Sequence, residues 1–314
     1  MKYTLKTIML GMLCVSLFAM PVHAVEKMTI MLDWFPNIDH LPLYVAQEEG
    51  FFSDEGIDLK ILSPSATTDA LKLAASNNVD LAVSYTPQSV IGASERLDIK
   101  VVGRLVEHPL GVLLFLKETG IEKPADLEGK IIGYTVPGME DILTEAFTKL
   151  NGVKNYTPIN VGFAIIQSLV SGKVDAIMGP YKNYEAVELE EKGYPAGYFE
   201  PSHWGIPDYD ELVFITGGKT LKKRDAAIRG FVRAVDRAIA ATRENPERAL
   251  KRYFAALPEA PKEMETKAFA VTLPLYAHNQ KLELSRWQQF ADFAFEYGLI
   301  TRSVDTSGLI HAWD

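Results

Sequence analysis

Short apolar runs alternate with amphipathic stretches along most of the chain. The run MTIML at 28–32 is a strand by its length and composition, and a polar Asn37–Asp39 turn separates it from a helical stretch over about Leu41–Phe52. After Gly56 comes a second strand, IDLKIL, stopped at Pro64; spaced Ala and Leu then predict a helix over Asp69–Asn77, with Thr68 or Asp69 as its cap. NNVDLAVSYTP supplies a third strand. This rhythm of strand, helix and strand at short spacing predicts a parallel sheet.

DIKVVGRLVEHPLGVLLFLKETG holds two further apolar strands, after which IIGYTV, a Pro137–Gly138 turn and a helix over Met139–Leu150 restart the pattern. VKNYTPINVG, AIIQSLVSGK and VDAIMGPY form another strand–helix–strand unit, followed by a helix over Glu185–Lys192, the segment YPAGYFEP and the strand ELVFIT. From Leu221 the chain turns helical. Breaks fall at Asn245–Pro246, and later helices are expected over Glu263–Tyr276 and Ser285–Tyr297. The late segment has too few strands for its own sheet, so it must cover the first lobe.

The expected class is therefore α/β with two lobes, each a mixed or mostly parallel sheet flanked by helices. Residues 25–115 begin lobe one, 116–211 build lobe two, and 212–314 return with the C-terminal helices. Two crossings, near Leu116 and Leu212, make a hinge, and the groove between the lobes is the expected ligand site.

Residues 1–24 read as a cleavable export leader: Lys2 and Lys6, the apolar run IMLGMLCVSLFAM, then Val22 and Ala24 at the cleavage positions, with a mature start near Val25. The run is shorter than the ~20 residues that span a bilayer. Cys14 lies inside it, which argues against lipid anchoring and for a free soluble product. Cleavage removes the only cysteine, leaving neither a disulfide nor a cysteine metal site. It also removes two lysines from a chain already at a formal charge of −9, and that balance argues against a nucleic-acid partner.

The candidate chemistry collects where strands end. Asp33, Trp34, Asn37, His40 and Tyr44 follow the first strand, offering a stacking face and several hydrogen-bonding groups without an obvious nucleophile. His40 and Tyr44, four apart, share a helix face. Tyr85 follows the third strand, Glu140 starts a helix after a Gly turn, and Tyr181 and Glu185 follow VDAIMG. His203, Trp204 and Tyr209 either close over the ligand or pack the return crossing. Together these groups fit recognition of a small polar aromatic molecule. Catalysis, cofactor and metal are not expected.

In order, LDWFPNIDHLPLYVAQEEGFF, VDLAVSYTP, IGYTVPGMEDILTEAF, VDAIMGPYKNYE, GIPDYDELVFIT and WQQFADFAFEYGLI resemble the NMT1/THI5-like periplasmic binding proteins of ABC importers, and among them the ThiY group. That resemblance covers nearly the whole mature chain. It implies a type II-like periplasmic binding fold, a monomer that delivers a formylated aminopyrimidine of thiamine salvage to a membrane permease, and Trp34 as an aromatic wall with Asn37 at the ring edge. Pro180 and Lys182 depart from the commoner small–Trp pattern in MGxYxNxE. Riboflavin, another flat heterocycle or an aliphatic sulfonate are the alternative ligands. A different branch of the fold synthesises the thiamine pyrimidine with a cysteine-rich segment, which this sequence lacks once its leader is gone.

Overall fold

The computed structural model describes residues 25–313, so the leader expected over 1–24 lies outside the described residues. Among those described, no helix is long and apolar enough to cross a membrane. Ten strands form two five-stranded sheets: β1 (Glu26–Met31), β2 (Ile57–Leu62), β3 (Leu81–Ser84), β4 (Ile99–Val106), β5 (Gly111–Leu116), β6 (Ile131–Tyr134), β7 (Thr157–Asn160), β8 (Ala176–Tyr181), β9 (Ala196–Phe199) and β10 (Leu212–Gly217). The first sheet has the order β2-β1-β3-β10-β4, and the second β7-β6-β8-β5-β9.

The two sheets share one plan. β1 runs parallel to β2 and β3, while β10 enters antiparallel between β3 and β4. In the second, β6 runs parallel to β7 and β8, and β5 enters antiparallel between β8 and β9. Each antiparallel strand is the first one formed after a crossing. The chain thus ties the two lobes by the two crossings alone, each of which feeds an antiparallel strand into the middle of the sheet it enters.

The return crossing leads into β10 at Leu212, and the outgoing one lies earlier than Leu116. Leu113, Leu114 and Phe115 of β5 pair with Met178, Ile177 and Ala176 of β8, so the chain changes lobes over residues 107–110. The all-apolar GVLLFL suits either core, and its composition does not choose between them. The polar Glu107–His108 followed by Pro109 is the local mark of the crossing.

The first helix also stops short of Phe52, spanning Leu41–Glu48. Gly50 adopts φ +76°, a left-handed conformation that favours glycine, and redirects the chain into the short helix Phe51–Asp54. Over this lobe lies the long helix Gly218–Glu244. It buries Ile228, Phe231, Val235 and Ile239 along one stripe, with Phe231 stacked on Phe52 and edge-on to Phe214 of β10. Each such side chain contributes about 1.5–3 kcal/mol of burial. Asn245 ends this helix and caps the next, Pro246–Ala256, accepting from the Arg248 N–H at 3.0 Å.

The return crossing is fixed to the first lobe through Asp210. Its Oδ1 lies 3.0 Å from Arg104 Nη1 and 3.1 Å from Arg286 Nη1, and its Oδ2 accepts from the Trp287 indole at 2.7 Å. Arg104, Asp210 and Trp287 are all buried.

Candidate functional site

A cavity lies between the lobes and is lined by residues of both. Its first wall is built by the turn after β1. Asn37 caps the short Ile38–His40 turn, accepting from the Asp39 N–H at 2.9 Å, while its own N–H points at His40 Nδ1, 3.4 Å away. Nε2 carries a proton and donates to Asp33 Oδ1 at 2.9 Å. Tyr85 donates to the other Asp33 oxygen at 2.8 Å. Asp33 is therefore held from both sides before any ligand arrives. The Asn37 carbonyl is occupied by its cap, leaving the amide nitrogen as its group for the cavity.

Trp34 projects from the same turn to the opposite lobe. Its ring lies 4.6 Å from Phe163, edge to face, and packs beside the second lobe's apolar cluster. Asp33, Trp34, Asn37, Tyr85, Glu140, Tyr181 and Glu185 all line the cavity. His40 and Tyr44 do not. His40 stands behind Asp33 and positions it, while Tyr44 packs edge-on to Tyr253 at 5.8 Å in the first lobe.

The second lobe contributes two glutamates at helix starts. Glu140 opens the helix Glu140–Leu150, and its Oε2 accepts from the Thr135 N–H, the Thr135 hydroxyl at 2.6 Å and the Val136 N–H at 3.0 Å. Gly179 gives it room. Any Cβ there would lie 2.1 Å from Glu140 Oε1, and the backbone φ of +112° is itself strained for other residues. Glu185 opens the helix Glu185–Glu191 and accepts the Tyr181 N–H on Oε2 at 2.7 Å. In both residues the second carboxylate oxygen is left for the cavity.

A further carboxylate, Glu211, lies on the return crossing. Its Oε2 accepts from the N–H groups of Leu110 and Gly111 on the outgoing crossing, at 2.6 and 3.0 Å, and Tyr181 OH donates to Oε1 at 3.3 Å. Burial pushes Glu140, Glu185 and Glu211 each up to about 7, against hydrogen bonds that pull the other way. Burial likewise pushes the Tyr85 and Tyr181 phenols up and keeps them as neutral donors. Four carboxylates face the cavity, and no lysine or arginine is among its lining residues. Met139, Leu143, Ile165, Met178 and Ile206 supply apolar surface between them.

The family described as NMT1/THI5 like matches residues 37–249. The chain belongs to that family. A formylaminopyrimidine-binding protein of Halalkalibacterium halodurans is 38% identical over 72% of this chain and 69% of its own. The Saccharomyces cerevisiae 4-amino-5-hydroxymethyl-2-methylpyrimidine phosphate synthase THI5 is 28% identical over 78% of this chain and 75% of its own. Among solved structures, the alkanesulfonate-binding protein SsuA from Xanthomonas axonopodis pv. citri, bound to MOPS, superposes with a TM-score of 0.74 over 92% of this chain and 99% of its own at 14% identity. The fold is that of the periplasmic binding proteins.

Glu211 and Thr135 are cavity residues that sequence reasoning did not single out, and both are held by backbone geometry. Glu211 carries a weak local signal, an acid directly before the apolar strand LVFIT at a crossing. Of the three residues near that crossing, Tyr209 lines the cavity, whereas Trp204 packs on Phe199 at 5.7 Å outside it.

Proposed function

We propose that this chain is the solute-binding component of an ABC importer, exported to the periplasm. Its ligand is a thiamine pyrimidine precursor such as N-formyl-4-amino-5-aminomethyl-2-methylpyrimidine, passed on to a membrane permease. The observation that carries this reading is the pairing of an aromatic wall, Trp34, with the free oxygens of Glu140 and Glu185 and no lining cation. Such a site accepts a flat ring with amino and amide N–H donors on its edge. The relative named for formylaminopyrimidine binding supports the same ligand.

An aliphatic sulfonate fits this cavity poorly. Its oxygens need arginine, lysine or dense N–H donation, and here they would meet four carboxylates. The synthase relative raises an enzymatic reading, but the cavity favours binding. Both nitrogens of His40 are already engaged, its ring lies outside the lining, and the one cysteine of the chain is in the leader segment.

Calorimetry with the purified pyrimidine is the direct test, with an alkanesulfonate and riboflavin as competitors. Reversible binding of the pyrimidine supports the proposal; binding of a competitor in its place overturns the ligand assignment. Trp34→Ala is expected to weaken pyrimidine binding about 30-fold, the equivalent of about 2 kcal/mol of lost ring contact. An affinity within about twofold of wild type would remove Trp34 from the binding wall.

A further inference from the structure

The lobes also meet outside the cavity, at a fully buried polar contact that no ligand reaches. Asp39, on the first-lobe turn, and Asn183, just after β8 of the second lobe, are both 0% exposed, and neither lines the cavity. Asn183 Nδ2 donates across the cleft to Asp39 Oδ1 at 2.5 Å and to Thr272 Oγ1 at 2.7 Å, at the end of the helix Lys262–Thr272. The Thr272 hydroxyl lies 2.9 Å from the Ala268 carbonyl and 3.4 Å from Asp39 Oδ1, and the shorter contact takes its one proton.

These bonds use both protons of the Asn183 amide. Two atoms are then left with no partner among the described residues, Asp39 Oδ2 and Asn183 Oδ1. Both are acceptors if Asp39 is ionised, and leaving them so in a dry interface is costly. Protonation of Asp39 removes the buried charge and turns one of the two unpaired acceptors into a donor. We infer that Asp39 keeps its proton when the lobes are closed and that the Asp39–Asn183 pair is the latch of the closed state.

The surroundings agree with a neutral acid. Burial pushes Asp39 up to about 7, His40 and the Asn183 bond pull it down, and Glu185 and Asp33 push it up again. Tyr181 from the second lobe and Tyr276, which follows the C-terminal helix segment, also face it as neutral phenols. Glu265 on the Lys262–Thr272 helix is pushed by burial to about 7 and accepts from Tyr184 OH across the same cleft at 3.2 Å. When the lobes part, water reaches Asp39 and its pKa returns towards the ordinary ~3.9. Closure therefore takes up a proton. It is favoured at low pH and weakens as pH rises through 7, by about 30-fold between pH 5.5 and 8 from this one acid.

The test reads the distance between lobes directly, so it does not depend on the ligand assignment. Spin labels on cysteines placed at exposed Asp58 and Lys154 report the closed population by electron–electron double resonance. Asp39→Asn mimics the protonated acid, so the ratio of its closure constant to that of wild type should rise about 30-fold between pH 5.5 and 8. Asn183→Leu should open the lobes at both pH values while melting within a few degrees of wild type. Asn183→Ser serves if the leucine variant does not fold. A ratio of Asp39→Asn to wild type that stays the same between pH 5.5 and 8 would overturn the inference, as would an Asn183 variant that remains closed. If wild type follows the expected pH course but ignores the added pyrimidine, the latch stands and only the ligand assignment fails.

Discussion

Asp210→Ala is expected to lower the free energy of unfolding by about 3–5 kcal/mol, the usual effect of removing one partner from a buried ion pair. The magnitude comes from what is left behind. Arg104 is 2% exposed, and although Asn279 O accepts from its Nε at 2.9 Å and Glu107 lies 3.1 Å from Nη2, its Nη1 loses its carboxylate. The Trp287 indole N–H loses its acceptor in the same step. Burial nevertheless pushes Asp210 above its ordinary value despite Arg286 and Arg104, so desolvating this group is expensive even with both cations present. The cluster therefore owes its presence to fixing the crossing rather than to a large net stabilisation. Asp210→Asn, which keeps an acceptor for Trp287, should lose less. Urea unfolding of both variants checks this, and a loss below about 1 kcal/mol for the alanine would sink it. Because Asp210 adjoins Glu211, the alanine variant should also bind ligand more weakly.

The elements that were legible in the sequence are those with local causes. Apolar runs of four to eight residues marked most of the strands but not β9, and Asn245–Pro246 marked a helix break because a cap and a fixed φ act within one turn. The outgoing crossing was misplaced because β5 is apolar throughout, and only its partners on β8 reveal its lobe. In the cavity, Trp34 and the helix-start acids Glu140 and Glu185 stood out by their position after strands. His40 and Tyr44 were read as a shared helix face, but His40 closes a tighter turn and the helix proper begins at Leu41, with both side chains turned inward. Glu211 and the Asp39–Asn183 pair were out of reach for a different reason. Their partners lie 101 and 144 residues away, brought near only by the crossings.

Between pH 5.5 and 8 the ligand-free protein is expected to pass from closed towards open lobes, and the triple variant Glu140→Gln, Glu185→Gln, Glu211→Gln to stay more closed than wild type at pH 8. In the closed cavity each of these acids is raised to about 7, while in open, hydrated lobes each returns towards its ordinary ~4.3. A group raised on closure favours the closed state fully below its open value, and that advantage is lost as pH rises through the closed one. One such acid changes the balance by up to about 3 kcal/mol. Three together give several kcal/mol rather than a simple sum, since Glu140 and Glu211 repel each other, as do Glu185 and Glu140. The ligand reverses this at pH 8 because its N–H donors replace the water that ionised carboxylates would otherwise draw in through an open cleft. Small-angle scattering across the pH range, with and without the pyrimidine, follows the compaction. A radius of gyration that does not move with pH in the empty wild type would refute the electrostatic account. The triple variant should be more compact than wild type at pH 8 yet bind at least tens-fold more weakly, because each glutamine substitutes a donor for one acceptor oxygen. Its compactness without affinity would separate the two duties of these acids: holding the empty lobes apart at neutral pH, and reading the edge of the ring once it is inside.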